Sequence, residues 1–126
     1  MSKEENKYDI EDRLIDFAVR TIKLAGSLSK TKAGSHIANQ IIRSGTAPAS
    51  NYGEAQGAES RSDFIHKMKI CLKELRETKV WLKIITKANL IKTKSKVEPL
   101  IDENEQLISI FVTSIKTAKA KNRKIS

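Results

Sequence analysis

Apolar residues recur at alternating spacings of three and four through four segments of this chain. The clearest row is Phe64, Met68, Cys71, Leu75, Thr78, Leu82 and Ile85. This spacing places side chains on one face of an α-helix and is typical of the seam of a helical bundle. A shorter second row, Ile70, Trp81 and Ile84, gives the same helix a second apolar face, which needs a further partner. The pattern predicts amphipathic helices and no strand.

Polar residues at the segment ends set the expected helix bounds. Asp9 can cap the first helix, Ser60 or Ser62 the third, and Ser95 the fourth, with Glu98 completing a capping box. The expected helices occupy about residues 9–28, 33–56, 61–87 and 96–119 of one domain spanning 1–126, with fraying termini. Short connections join antiparallel neighbours, so we expect an all-α, antiparallel up-and-down four-helix bundle.

The second segment contains Gly45 and Pro48, which interrupt a regular helix. Proline lacks a backbone donor and clashes with the preceding turn, so a kink near Pro48 is expected. Two separate short helices are the alternative. The kink is preferred because small residues recur from Ser44 to Ala55, and small residues allow a neighbouring backbone to approach closely.

Polar residues of the second and third helices match one another if the chain turns near residues 57–60. Residues that face each other then have numbers that sum to about 117. The resulting partners are Arg43 with Glu74, Gln40 with Glu77, Asn51 with His66, and Glu54 with Asp63 and, one turn on, with Lys67. We interpret these residues as structural contacts that fix the register of the two helices. A binding site for an external ligand is the alternative.

Composition changes this picture mainly through charge. The net charge is +9, and residues 60–126 carry all of it, with sixteen Lys/Arg against seven Asp/Glu. A basic half favours a polyanionic partner, although a solvated lysine-rich surface has the same composition. No apolar stretch is long enough to span a membrane, and the polar N-terminal sequence does not resemble a signal peptide. Together with the single cysteine, Cys71, this predicts a cytoplasmic protein.

Catalytic chemistry finds little support in the sequence. Asp63 and His66 form one carboxylate-x-x-His motif, whereas di-metal sites in bundles use two such motifs and further carboxylates. Cys71 lies on the apolar seam, where a buried and inert thiol is expected. We therefore expect no enzyme, no metal and no cofactor.

Basic residues follow the third helix and the connection after it. The candidates for nucleic-acid binding are Lys69, Lys73, Arg76, Lys79, Lys83, Lys87, Lys92, Lys94 and Lys96. Only Trp81 and Tyr52 are suited to stacking on bases, so contact with backbone phosphates is expected in preference to sequence-specific recognition.

A spaced set of residues across two helices carries a family resemblance. It comprises Gln40 to Ser44, then Asn51, Glu54 and Ser62 to Phe64, and then Leu72 to Thr78. This set resembles the bacterial four-helix-bundle family named for open reading frames in intervening sequences of 23S ribosomal RNA genes, also called S23 ribosomal protein. The accessory variability determinant of diversity-generating retroelements is a relative. The resemblance covers roughly residues 10–118, and the shared positions map onto Arg43, Ser44, Asn51, Glu54, Asp63, Phe64, Glu74 and Glu77.

The resemblance implies a barrel-shaped homopentamer without known enzymatic activity. In the retroelement relatives, the positively charged pentamer binds nucleic acid and the reverse transcriptase. Three hypotheses follow for this chain. The first is a homo-oligomeric protein that binds RNA or DNA, or assists a nucleic-acid enzyme. The second is a structural or protein-interaction module whose basic surface is incidental. The third is a metal-dependent bundle enzyme.

Overall fold

Four long helices account for most of the chain. A computed structural model describes residues 3–125, and the side chains of residues 10–121. The helices are α1 Lys3–Gly26, α2 Lys32–Gln56, α3 Arg61–Lys87 and α4 Glu98–Ile125, with a 3-10 turn, Lys94–Lys96, before α4. Consecutive helices pack against each other, and α1 also contacts α4, which closes the bundle. No strand occurs in residues 3–125. The predicted antiparallel up-and-down four-helix bundle is confirmed.

The predicted apolar rows meet along the bundle axis. Phe17, Ile41, Leu75 and Phe111 contribute one fully buried side chain from each helix. The ring of Phe111 also meets that of Tyr52 edge to face, with centroids 5.9 Å apart. Full burial of one such side chain contributes about 1.5–3 kcal/mol relative to exposure, so these rows hold the fold together. Within the described residues, no helix combines the length and apolar character needed to cross a bilayer.

The first helix is longer at its N-terminus than the sequence suggested. It begins at Lys3 and ends at Gly26, so Asp9, the expected cap, lies inside the helix. The side chain of Asp9 lies outside the described residues. Its neighbours in residues 3–10 are mostly helix-compatible polar residues, and no glycine or proline stops the helix there. A good capping residue therefore did not mark the helix start.

The fourth helix begins two residues later than expected and ends later as well. Ser95 lies in the 3-10 turn instead of capping α4. The carbonyl of Val97 accepts from the backbone N–H of both Leu100 and Ile101, so the first helical bonds start there. This start places Pro99 in the first turn, where its missing donor costs nothing. The helix continues to Ile125, six residues beyond the predicted end at 119.

The second helix is continuous through Gly45 and Pro48, so the alternative of two short helices is wrong. Pro48 has no N–H for the carbonyl one turn before it, which makes this the weakest point of the helical ladder. Close packing of α2 against α1 at Gly45 compensates for this missing hydrogen bond. A Cβ at Gly45 would lie 2.5 Å from Cγ2 of Thr21 on α1. Only glycine allows α1 and α2 to approach this closely. A bend of the helix axis at Pro48 stays a prediction.

Candidate nucleic-acid interface

Arg43 of α2 is the centre of the polar contact between α2 and α3. Its Nη1 donates to Oε2 of Glu74 at 2.9 Å, and its Nη2 donates to Glu77. Glu77 also accepts from Nε1 of Trp81 at 3.0 Å. The Glu74 residue is 7% exposed, so the guanidinium neutralises a carboxylate that solvent hardly reaches. Such a charge would be costly without its partner.

Three further contacts extend this polar junction along the two helices. The hydroxyl groups of Ser44 and Thr78 lie 2.8 Å apart in the buried interior. Closer to the turn between the helices, Lys67 Nζ lies 3.5 Å from Oε1 of Glu54. At the turn itself, the Ser60 side chain accepts from the Asp63 backbone N–H and caps α3. We call the contacts of Arg43, Ser44 and Glu54 with α3 the α2–α3 junction.

Some expected partners do not meet. Glu77 is held by Arg43 and Trp81, and no hydrogen bond joins it to Gln40 among the described residues. The Asn51 side chain donates to the carbonyl of Ala47 within its own helix, and His66 is exposed. The long side chain of Arg43 reaches both Glu74 and Glu77 on α3, whereas the short amide of Asn51 bonds to a carbonyl of its own helix. The predicted alignment of α2 against α3 was therefore more accurate than the predicted residue partners.

The thiol of Cys71 lies between the same two helices as the α2–α3 junction. It is fully buried, and its Sγ lies 3.6 Å from the carbonyl oxygen of Pro48, to which it can donate. Burial raises the pKa of Cys71 to about 12, and the charge of Glu54 acts in the same direction. At neutral pH the thiol stays protonated, so it lacks the thiolate that a nucleophile or a metal ligand requires. Among the described residues, no three His, Cys, Asp or Glu side chains cluster as a metal site would require.

The basic candidates on α3 divide into paired and unpaired side chains. Lys79 Nζ lies 2.6 Å from Oε1 of Glu105 on α4, so this lysine joins two helices. The other candidates on α3 are exposed and form no ion pair within the described residues: Lys69, Lys73, Arg76, Lys83 and Lys87. The α3 surface therefore presents unneutralised charge to solvent along most of its length.

Unpaired lysines also collect at one end of the bundle. The backbone N–H of Ser29, between α1 and α2, donates to the carbonyl of Leu90, between α3 and α4, at 2.8 Å. This bond joins two connections that are distant in sequence. A cleft of about 920 Å³ lies between them, and its charged lining residues are Lys30, Lys92, Lys94 and Lys96. Among the residues that the structure describes, no acidic side chain lines this cleft. We call these four lysines the basic end.

A smaller cleft continues the basic end along the α1–α4 groove. Its volume is about 370 Å³, and its charged lining residues are Arg20, Lys23 and Lys96. Nη1 of Arg20 lies 3.8 Å from Oδ2 of Asp16, one turn earlier in α1, and both side chains are solvent-accessible. Surface pairs of this kind are weak, so the guanidinium can still attract an anion. The two clefts form one basic surface around Lys96.

Sequence reasoning missed Lys30, Arg20 and Lys23. Charges balance to zero over residues 1–59, and this balance hid the contribution of the first two helices. A usable signal was present, because an antiparallel bundle brings the α1–α2 turn to the same end as the α3–α4 connection. The predicted Lys92, Lys94 and Lys96 could then have been extended to Lys30.

Comparison with known proteins places the chain in a family. The model of the family described as 23S rRNA-intervening sequence protein matches residues 6–113. A crystal structure at 1.70 Å of a protein of unknown function from the S23 ribosomal protein family of Bacteroides thetaiotaomicron VPI-5482 is similar, with a TM-score of 0.80 and 33% sequence identity. The similarity covers 87% of this chain and 97% of that one. No protein of curated function matches. The bundle, the polar set of the α2–α3 junction and these matches establish that the chain belongs to the 23S rRNA-intervening sequence protein family.

Proposed function

We propose that this chain is a non-enzymatic, homo-oligomeric protein that binds nucleic acid through backbone phosphates. The basic end is the observation that carries the proposal, because four lysines from two connections line one cleft, and no acidic residue of the described chain lines it. The exposed lysines and arginine of α3 add a second basic surface. Phosphates of RNA or DNA are the anions that such a dispersed charge attracts most strongly.

The distribution of ion pairs supports this proposal more than the net charge does. Lys67 and Lys79 have acidic partners within the chain, and Arg43 has two. Lys30, Lys92, Lys94 and Lys96 have none among the described residues. Clustered like charges repel one another and reduce stability, and an external anion removes that repulsion. The unpaired lysines are therefore the best candidates for contact with phosphate.

The mode of recognition follows from the chemistry of the surface. Tyr52 lies in the core, and Trp81 is half-buried and held by its hydrogen bond to Glu77, so the surface offers few aromatic rings for stacking on bases. Lysine ammonium groups recognise charge and carry little information about base identity. The protein is expected to bind polynucleotides with weak sequence preference and strong salt dependence.

The finer parts of the proposal follow the family resemblance. A homopentamer would repeat the basic end around a ring and increase avidity for a long polyanion. The same surface suits an accessory role beside a nucleic-acid enzyme, for which a reverse transcriptase is the candidate that the relatives suggest. A cytoplasmic location fits the single buried Cys71 and the nucleic-acid partner.

Polynucleotide affinity as a function of salt tests the proposal. The measurement uses the full chain with single-stranded RNA, duplex RNA and duplex DNA of equal length. Binding at about 50 mM salt and a fall of at least tenfold in affinity by about 200 mM are expected, since each phosphate contact releases a counterion. Absence of binding to all three probes at about 50 mM salt would contradict the proposal.

A protein-interaction module is the second candidate function. The observation in its favour is that large apolar side chains, Val80 and Ile84 among them, are exposed on α3 beside the basic residues. Charge reversal at Lys30, Lys92 and Lys94, which lie in the basic end and away from Val80 and Ile84, would then leave partner binding intact. A protein partner that is retained after nuclease treatment would favour this function over the first.

A further inference from the structure

Helix α1 exposes an apolar row that no described part of the chain covers. Ile15, Val19 and Ile22 are 49%, 43% and 49% exposed, and they follow the 4-3 spacing of a helix-packing seam. On α2, Ile42 is also exposed, and it lies one turn before Gly45, which packs against Thr21 of α1. We use the name α1 row for Ile15, Val19 and Ile22.

Helix α3 exposes a second apolar row. Val80 is 55% exposed and Ile84 is 37% exposed, and the half-buried Trp81 lies between them. We use the name α3 row for Val80 and Ile84. Among the described residues, the large exposed apolar side chains lie on α1, α2 and α3 and none lies on α4. Neighbouring apolar side chains on the surface of a lysine-rich chain favour a contact surface over isolated exposed residues.

The charges beside the two rows differ in sign around Ile15, whereas the cations Arg20 and Lys23 border the α1 row toward Ile22. Glu11, Asp12 and Asp16 are exposed around Ile15. Neither Glu11 nor Asp12 forms an ion pair within the described residues. The α3 row is bordered by exposed and unpaired cations, namely Lys73, Arg76, Lys83 and Lys87. An apolar centre with a charged rim is the usual composition of a protein interface. Here the acidic rim around Ile15 is complementary to the basic rim of the α3 row.

The two rows cannot meet within one chain. Contacts run from α1 to α2, from α2 to α3, from α3 to α4 and from α1 to α4, so α1 and α3 occupy opposite corners of the bundle. Their outer surfaces therefore point in different directions. The α1 row therefore cannot pack against the α3 row of its own chain. It can pack against the α3 row of another copy of the chain.

We propose that the α1 row of one copy packs against the α3 row of a second copy, in a head-to-tail interface between identical chains. This inference rests on the proposed homo-oligomer and specifies the surfaces that form it. Acidic side chains at the N-terminal part of the α1 row meet Lys73, Lys83 or Lys87 at the rim of the α3 row. Each copy uses two different surfaces, so the contact repeats and closes into a ring or continues as a filament.

The interface leaves the basic end free. Lys30 and Lys92 to Lys96 lie in the connections at one end of the bundle, whereas both rows lie along helix sides. Repetition of the contact would place the basic ends of successive copies side by side. Such an array favours a long polyanion over a single phosphate group.

Two single variants and their mixture test the inference. Val19→Lys places a cation opposite the basic rim, and Ile84→Glu places an anion opposite the acidic rim. Both positions are exposed, so the fold should survive, and circular dichroism checks this. Light scattering without nucleic acid is expected to show an oligomer for the unchanged chain and single chains for each variant. An equimolar mixture should recover at least dimers, because each variant keeps the row that the other has lost.

Every other result contradicts the inference. If only one variant dissociates, or if the mixture stays monomeric, the two rows do not contact each other. Ser109→Lys, at an exposed position on α4, is the control and should leave the oligomer mass unchanged. An unchanged chain that is monomeric would overturn the interface together with the oligomer, whereas retention of polynucleotides is measured separately and reports on the basic end alone.

Discussion

The α2–α3 junction and the basic end both contain several charged residues, but they treat charge in opposite ways. At the junction, Arg43 lies between Glu74 and Glu77, and Lys67 lies beside Glu54, so each charge has an opposite partner. At the basic end, Lys30 and the lysines from 92 to 96 have no acidic partner within the described residues.

This difference separates charges that are used within the fold from charges that stay available to a ligand. Paired charges inside a helix contact fix the register, and their removal is felt mainly as a loss of stability. Unpaired charges on connections contribute little to folding and remain available to a ligand. Family resemblance is carried by the first kind of residue, which explains why it identifies the fold well and the activity poorly.

The largest expected effect at neutral pH is on the junction. Arg43→Met removes the partner of Glu74, whose carboxylate is almost fully buried. We expect the free energy of unfolding to fall by about 2 kcal/mol, less than for a fully buried pair because the Arg43 side chain is itself half-exposed. Chemical denaturation of the purified variant measures this change.

The matched control is Arg76→Met, which replaces an exposed arginine on α3 that has no ion pair in the described chain. Its effect on stability should stay within about 0.5 kcal/mol. Equal losses for the two variants would mean that the junction is not special. Addition of Glu74→Met to Arg43→Met should recover part of the loss, since no unpaired carboxylate remains buried.

The fold itself followed from the sequence because the 3.6-residue period is strong in all four helices. The junction followed from one geometric assumption, an antiparallel turn near residues 57–60, which the structure places between Gln56 and Arg61. Individual partners such as Gln40 and Asn51 did not follow, because side-chain length and rotamer decide which of several nearby groups is reached. Helix ends at Lys3 and Glu98 also depend on local backbone bonds that residue types describe poorly.

The sequence predicted three of the four lysines of the basic end. Lys92, Lys94 and Lys96 stand out as a run without acidic residues, whereas Lys30 is one lysine among balanced charges. The hydrogen bond from Ser29 to the carbonyl of Leu90 brings the two connections together, and no local pattern announces a contact of that sequence separation.

The second prediction concerns pH and Cys71, whose thiol lies between α2 and α3 near Pro48. The folded chain keeps this thiol protonated up to a pKa of about 12, whereas the unfolded chain loses the proton near its ordinary pKa of about 8.5. Stability is therefore complete below pH about 8.5 and falls as pH rises, by at most about 1.4 kcal/mol per pH unit from this group. Burial also raises the pKa of Tyr52, which acts in the same direction at higher pH.

Denaturation at pH values between about 8 and 11 measures this slope. Cys71→Ala removes the titrating group, so its stability should fall less steeply over the same range. If the slopes of the two proteins are identical, Cys71 does not titrate as its burial requires.

The third prediction concerns the contact between α3 and α4, where one buried polar atom has no hydrogen-bond partner among the described residues. Asn104 is fully buried and donates to the carbonyl of Leu75 at 3.1 Å, but its Oδ1 has no partner among the described residues. Asn104→Leu removes this unsatisfied acceptor at similar volume, and we expect a gain of about 1 kcal/mol in the free energy of unfolding. Asn104→Asp is the control and should lower stability, since it buries a charge. A loss of stability in Asn104→Leu would show that the amide contributes more than its one visible bond.

The most direct test of the account compares two double variants with the same change in net charge. Lys92→Gln with Lys94→Gln removes two unpaired charges from the basic end, and Lys67→Gln with Lys79→Gln removes two paired charges from helix contacts. The measured quantity is the slope of log affinity for a polynucleotide against log salt concentration. We predict that the first pair of substitutions reduces the magnitude of this slope by about 1.5–2, as expected for two lost phosphate contacts, and that the second pair leaves it nearly unchanged. Equal changes for both double variants would contradict the account, because net charge alone, and not the unpaired lysines of the basic end, would then determine binding.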